Sequence, residues 1–463
     1  VLLVGVLLYW QESGSTHLAG QGAVGLELNS PAIYVAFLCF LCAALAKAGA
    51  VPFHSWVPDF GEKADAPVSA YLPASLDKLL GIYLLARCLL DLFEPTPAMS
   101  FLLMLIGAVT ILSMSLGALV QHDLKRLLSY TAVGQVGYII LGLASGTPVG
   151  LAGGLFQMLN HAIYKAALFL CAGVVEKETG ETDLDRLGGL ARLMPVTFGV
   201  CLITAMAGAG IPPLNGFASK WMVYQGVITS GDGMGWIVWL VVAMLGSALT
   251  LAAFLKVLHA TFLCKASPAI KKRAAAAGIH DGSRAMLLPM VVLAVLCVVF
   301  GAAAYQLPLS MLIFPVVGAD DELLAGGVWW SGLATVLIVG SVFIGLIGYW
   351  LSMRASKLRR VETYIGGEKM DEAYLSGGSQ GSDRHVEVTG VDFYNTIEQL
   401  PLLGRFFGLA RGRAFDVYHL GQKGTGYLVQ MLRSFHTGIL PAYLRWFVAG
   451  MLVVVWVVTQ SGG

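Results

Sequence analysis

The chain is poor in charge. Only 12% of its 463 residues are Asp, Glu, Lys or Arg, about half the share usual in soluble domains. A net charge of +1 gives no broad basic surface and argues against a nucleic-acid partner. The common cofactor and metal motifs are also missing. There is no G-x-x-x-x-G-K-[ST], no G-x-G-x-x-G at a strand-to-helix turn, no H-E-x-x-H and no clustered C-x-x-C pairs. Seven cysteines (Cys39, Cys42, Cys88, Cys171, Cys201, Cys264 and Cys297) lie in or at the edges of apolar runs. They read as small core residues, not as a disulfide framework. Cys39 and Cys42 form a lone C-x-x-C with no second pair or histidine nearby, so no metal or redox centre is expected in this chain.

What the chain has is apolar length. Residues of hydrophobic type make up 57%, and several runs reach the roughly 20 residues that cross a bilayer. The pattern predicts an all-α polytopic membrane protein with about eleven spans: 1–10 (partial), 31–50, 68–93, 99–120, 127–145, 149–175, 193–230, 236–264, 285–308, 327–351 and 439–459. The span at 193–230 is interrupted near 208–216 and must count as one crossing. Loops 51–67, 121–126, 176–192, 265–284 and 354–438 hold most of the Lys and Arg, whereas the alternate set (11–30, 94–98, 146–148, 231–235 and 309–326) holds none. That partition places the basic loops in the cytoplasm; the membrane expected is a prokaryotic inner membrane. The chain begins inside an apolar run, without Met or a signal peptide, and reads as the remainder of a longer protein.

Seven basic residues fall outside the loops: Lys47, Lys78, Arg87, Lys165, Lys220, Lys256 and Arg445. Arg87 and Arg445 are near helix ends, where long side chains reach the interface. Five lysines remain at membrane depth, where each costs at least a few kcal/mol unless it meets water or a partner. A single such lysine is as readily a tether between helices. Five on different spans of a charge-poor chain point to a relay, because a desolvated ammonium gives up its proton more easily than one in water. Lys47 ends a helix before Gly49-Ala50-Val51-Pro52, and Lys220 follows G-I-P-P-L-N-G (210–216); interrupted helices are tolerated in membranes where they line protein or water. His161 and Lys165 are four apart on one helix face, with Asn160 beside them. Lys78 has Asp77 as its chain neighbour, and Lys256 lies one turn from His259 near a basic-loop end, where snorkelling competes with a pathway role. Residues 352–390 read as a flexible linker. Residues 391–438 mix aromatics with arginines, as an amphipathic segment lying on the membrane or bracing neighbouring subunits.

Four stretches carry a resemblance: KAGAVPFHSWVPDFGEKADAPVSAYLPASLDKLLGIYLLAR (47–87), HDLKRLLSYTAVGQVGYIILGL (122–143), NHAIYKAALFLCAG (160–173) and GAGIPPLNGFASKW (208–221). They closely resemble the antiporter-like subunits of respiratory complex I, of Mrp-type cation/proton antiporters and of energy-converting hydrogenases, over roughly residues 30 to 265. The C-terminal extension resembles the longer members. The resemblance implies two inverted five-helix repeats with broken helices near 47–53 and 208–216. It divides the chain into the remainder of a first repeat (1–65), the rest of the antiporter-like core (66–265), additional membrane helices (285–351), the linker, the amphipathic segment and a final span at 439–459. It implies a proton pathway through Lys47, Lys78, His161, Lys165 and Lys220, with Lys256, His259 and Asp77 secondary. A switching glutamate that pairs with the first broken-helix lysine belongs upstream of Val1. The expected function is proton translocation in a redox-driven complex, with other antiporter-like and small membrane subunits as partners. No cofactor is expected in this chain, while Fe–S clusters and flavin or Ni–Fe belong to peripheral redox subunits. A gradient-driven Na⁺/H⁺ antiporter role is the first alternative, and a structural membrane-arm scaffold the second.

Overall fold

The computed structural model describes residues 1–15, 17, 24–74, 76–230, 235–318, 331–355, 400–435, 447, 448 and 450–452. The linker at 352–390 and the span at 439–459 lie largely outside these residues, as does the side chain of Asp77. All regular structure among the described residues is helical. In chain order the helices are α1 (Leu2–Ser13), α2 (Pro31–Ala48), α3 (Trp56–Lys63), α4 (Ala66–Tyr71), α5 (Leu76–Arg87), α6 (Pro97–Leu119), α7 (Leu124–Ala144), α8 (Pro148–Thr179), α9 (Pro195–Ala209), α10 (Asn215–Thr229), α11 (Gly235–Leu258), α12 (Pro268–Ala277), α13 (Arg284–Ala302), α14 (Phe314–Val317), α15 (Ser331–Ala355), α16 (Pro401–Arg411) and α17 (Val417–Phe435). Seven described helices are long and apolar enough to cross a bilayer. The chain is an integral membrane protein of the all-α polytopic class.

Local chemistry explains where the long helices start. α2, α6 and α8 each begin with a hydroxyl residue followed by proline. Ser30, Thr96 and Thr147 accept from the amides of Ile33, Met99 and Gly150, while Pro31, Pro97 and Pro148 occupy the first turn, where a missing N–H costs nothing. In a membrane such caps matter more, because water is not there to satisfy the free amides. α7 is capped instead by Asp123, which takes the Arg126 amide at 2.7 Å and the Thr182 hydroxyl at 2.5 Å.

The core forms around α7, which is buried along nearly its whole length between α6 and α8. Small residues set the spacing: Gly107 of α6 faces Gly137 of α7, and Gly142 of α7 faces Gly154 of α8. Apolar residues on α11, α13 and α15 stay exposed in quantity, as lipid-facing surfaces do.

Two helix breaks stand where the sequence places them. α2 ends at Gly49 and α9 at Gly210, both in the left-handed conformation that lets the chain turn out of a helix. Each break carries one cis X-Pro bond, Val51–Pro52 and Pro212–Pro213. Two expectations need correction. The stretch 68–93 is not one helix: α4 stops at Tyr71 and α5 restarts at Leu76. Pro73 explains the gap, since it has no amide for the helical ladder and its ring crowds the preceding turn. Residues 309–326 are not loop throughout, because a wide π-type helix over Tyr305–Ile313 runs on into α14.

The chain divides into two units, Val1–Phe407 and Gly408–Gly463. Within the second, α17 is amphipathic and largely exposed.

Candidate functional site

The second break gives its lysine a specific task. α9 ends at Ala209, so its last carbonyls have no intrahelical partner and carry the negative end of the helix dipole. Lys220, one turn into α10, returns its ammonium to that end: Nζ donates to Gly208 O at 3.0 Å and Ala209 O at 3.1 Å. The same Nζ lies 4.6 Å from the centre of the Tyr138 ring, a cation–π contact that favours the charged form. The cation is 2% exposed. Its only stabilisation among the described residues comes from backbone dipoles and a ring face.

Lys165, on α8, is held in the same manner. Its Nζ donates to Leu128 O at 3.2 Å and Thr131 Oγ1 at 2.5 Å, and sits 4.9 Å from the Phe254 ring centre. His161, one turn earlier, is fully buried beside Tyr164. Neither of its ring nitrogens reaches a partner at hydrogen-bond geometry, although the Ala74 backbone approaches it more loosely. Lys78, in the first turn of α5, is fully buried with no hydrogen-bond partner among the described residues. These four groups lie within electrostatic reach of one another in sequence: Lys78 and Lys165 act on His161, and Lys78 and Lys220 act on Lys165. Among the described residues no carboxylate pairs with any of them.

The other candidates stand apart. Lys47 is exposed near the end of α2. Lys256 is buried, but its Nζ closes the end of α6 by donating to Leu119 O at 2.8 Å and Gln121 O at 2.7 Å. His259 is exposed, so Lys256 and His259 are not brought together although they are one turn apart.

Beside the cations lies a network that the sequence reading missed. Gln157 Nε2 donates to Gln135 Oε1 at 2.8 Å and to Tyr164 Oη at 3.0 Å. Ser219 Oγ donates to Gln157 Oε1 at 2.5 Å, and Asn160 Nδ2 donates to Ser219 Oγ at 3.1 Å. Asn215 Nδ2 donates to Asn160 Oδ1 at 2.9 Å. All six side chains are fully buried, and they tie α7, α8 and α10 together at the second break. A buried polar group left unpaired costs about 1–3 kcal/mol. Gln157→Leu removes three of these bonds at once, those to Gln135, Tyr164 and Ser219, so the complex carrying it should unfold at a temperature lower by several degrees in a detergent melt. An unchanged midpoint would show that the network is not holding these helices.

At the basic-loop end, His122 Nδ1 meets Asp185 Oδ2 at 2.8 Å. This hydrogen bond holds the Asp185 carboxyl below the usual carboxylate range. The tie is therefore intact at neutral pH and is lost only as pH falls through that lowered value. Asp123 shifts the other way, pushed up chiefly by burial.

Known proteins resemble this chain in sequence and fold. Residues 1–250 match the family described as NADH:quinone oxidoreductase/Mrp antiporter, TM. A Na⁺/H⁺ antiporter subunit from Staphylococcus haemolyticus is 33% identical over 355 residues, which is 70% of this chain and 43% of that protein. A Na⁺/H⁺ antiporter subunit from Alkalihalophilus pseudofirmus is 34% identical over 356 residues, with the same 70% and 43% coverage. The chain thus spans less than half the length of these relatives. Among solved structures, a chain of the Mrp complex of Dietzia sp. aligns with a TM-score of 0.59 and 28% identity over 66% of this chain and 63% of its own. A chain of the Thermus thermophilus respiratory complex I gives 0.59 and 25% over 70% and 66%. A chain of an archaeal membrane-bound sulfane sulfur reductase gives 0.71 over 98% and 74%, at 23% identity, a likeness of fold. All three are parts of multisubunit membrane complexes. With more than half its length matched, the chain belongs to the NADH:quinone oxidoreductase/Mrp antiporter transmembrane family.

Proposed function

We propose that this antiporter-like protein moves protons through the membrane along Lys78, His161, Lys165 and Lys220, in gradient-driven exchange for a cation such as Na⁺. The observation that carries the reading is the set of buried cationic groups without carboxylate partners among the described residues. Four charges confined at low dielectric repel one another, so they are not held charged together at reasonable cost. A proton arriving on one lowers the affinity of the next, and a row with that property passes protons along itself. Helix-end carbonyls and ring faces at Lys220, and a carbonyl and hydroxyl at Lys165, stabilise a cation moderately without trapping it as an ion pair would. Lys47 at the first break and Lys256 with His259 are assigned secondary places. The basic loops face the cytoplasm on the charge bias.

The sequence alone puts a redox-driven complex first. The Na⁺/H⁺ antiporter relatives at 33% and 34% identity favour the gradient-driven reading. The redox-driven reading stays second, favoured by the likeness over 98% of the chain to part of a respiratory complex. In it, peripheral subunits with Fe–S clusters and flavin or Ni–Fe would drive the same axis. A mild-detergent pull-down of the intact complex, with mass spectrometry of everything retained, separates the two. The expected retinue is small membrane subunits and other antiporter-like chains; co-purifying Fe–S subunits would overturn the gradient-driven reading.

A further inference from the structure

On the basic-loop side of this axis is a polar cluster that the proposed path does not use. Glu176, near the end of α8, is 39% exposed, and its two carboxylate oxygens accept from Lys125 Nζ at 3.0 and 2.9 Å. Lys125, at the start of α7, is only 3% exposed, so its ammonium is carried under the surface. That ammonium also donates to the Ala64 carbonyl at 3.2 Å, and the Ser69 hydroxyl shares the same acceptor at 3.3 Å. Ser69 is fully buried on α4. Its own carbonyl accepts from the Ala74 amide at 3.2 Å, and Ala74 is the backbone group beside His161. Along α7, Leu128 is one turn from Lys125, and the Leu128 carbonyl accepts from Lys165. From the half-exposed carboxylate to the buried Ser69 hydroxyl each polar group is thus next to another, and the Ser69–Ala74 backbone bond continues toward His161.

Neighbouring charges follow a different pattern. Arg126 is paired with the surface carboxylates Asp59 and Glu62 at 3.2 and 2.5 Å, all three being partly exposed, and it clamps α3 over the cluster from outside. Of these two cations Lys125 is the one drawn inward, and it is paired with the partly exposed Glu176.

We infer that Glu176 is the mouth through which protons reach His161 and Lys165 from the basic-loop side, with Lys125 as the first internal carrier and Ser69 as the hydroxyl step beyond it. This rests on the reading under Proposed function. Lys125 releases a proton inward, and Glu176, having taken one from water, restores it. The ion pair is regenerated after each passage and the net charge of the mouth is unchanged. Lys125 Nζ and the Ser69 hydroxyl both donate to the Ala64 carbonyl, and in the transfer Ser69 takes the proton that Lys125 gives up as it passes its own hydroxyl proton inward.

The test uses the assembled complex in everted vesicles, with cation/proton exchange followed by a pH-sensitive dye. Glu176→Gln should slow exchange per assembled complex by roughly tenfold or more, and Glu176→Asp should keep most of the rate. Azide or formate, at levels without effect on the wild type, should restore the Glu176→Gln rate by delivering protons past the missing carboxyl. A merely structural ion pair would not respond to a diffusible acid, so a slow variant that neither acid restores overturns the proposal. A wild-type rate in Glu176→Gln also overturns it. If that variant fails to assemble, Ser69→Ala decides, since it leaves the ion pair in place: slower exchange supports the mouth, and an unchanged rate refutes it. Lys165→Ala measured in parallel separates the two readings. Its loss beside an unaffected Glu176→Gln removes only the mouth, whereas normal exchange in Lys165→Ala removes the axis on which the mouth depends.

Discussion

Replacing Lys220 by Ala is expected to abolish coupled transport while the complex still assembles. The expectation follows from what the side chain does and does not hold. Its ammonium touches two carbonyls at the end of α9 and one ring face, and no carboxylate depends on it for neutralisation among the described residues. Removing it leaves no uncompensated charge in the membrane, which is the usual cause of collapse when half of a buried ion pair is deleted. It also removes the desolvation cost of the cation itself. Two carbonyls lose a donor, at a cost of about 1–3 kcal/mol, partly offset by that relief. Transport suffers differently, because the cation beyond Lys165 is gone and protons have no further acceptor along the proposed axis. The measurement is ion exchange in vesicles normalised to complex content on a native gel. Normal exchange from normal amounts of complex would remove Lys220 from the path.

The second large effect concerns the break itself. A Cβ at Gly216 would overlap the carbonyl oxygen of Ala207, because the start of α10 is pressed against the end of α9. Overpacking against yielding side chains costs about 1–3 kcal/mol, and here the obstacle is backbone. Gly216→Val must therefore push α10 away from α9, carrying Lys220 off its two carbonyls and Ser219 and Asn215 out of the amide network. The expected result is loss of assembled complex, not merely slower transport, read as the absence of this chain from the native-gel band. Full assembly with normal exchange would mean that the close approach of the two half-helices is not needed.

How much of this the sequence carries depends on the residue. The long spans are legible because apolar length acts locally, and α2, α6, α7, α8 and α11 follow it closely, with Ser-Pro or Thr-Pro starts marking α2, α6 and α8. The breaks at Gly49 and Gly210 are legible for the same reason. The interruption at 72–74 is hidden because its proline sits in an otherwise apolar run, where hydropathy continues across the gap. Burial of individual lysines is less legible still. α2 is apolar on every side, so its pattern does not say which face a neighbour covers, and Lys47 turns out exposed. Lys256 and His259 share a helical turn by spacing, yet one faces inward and the other outward. Gln135, Gln157, Asn215 and Ser219 gave no signal at all. Single amides and hydroxyls in a membrane helix are compatible with many helix–helix bonds, and only the packing of α7, α8 and α10 selects one network.

The central claim is that the buried lysine–histidine axis carries protons whose movement is coupled to a cation gradient. Its most direct test is proton uptake by proteoliposomes of the purified complex under an imposed Na⁺ gradient, without any electron donor or acceptor, comparing wild type with Lys165→Ala. The account predicts that the Na⁺ gradient drives proton movement in the wild type and that Lys165→Ala, assembled in equal amount, shows none. Equal proton movement in both, or none in either until a redox couple is supplied, would contradict it.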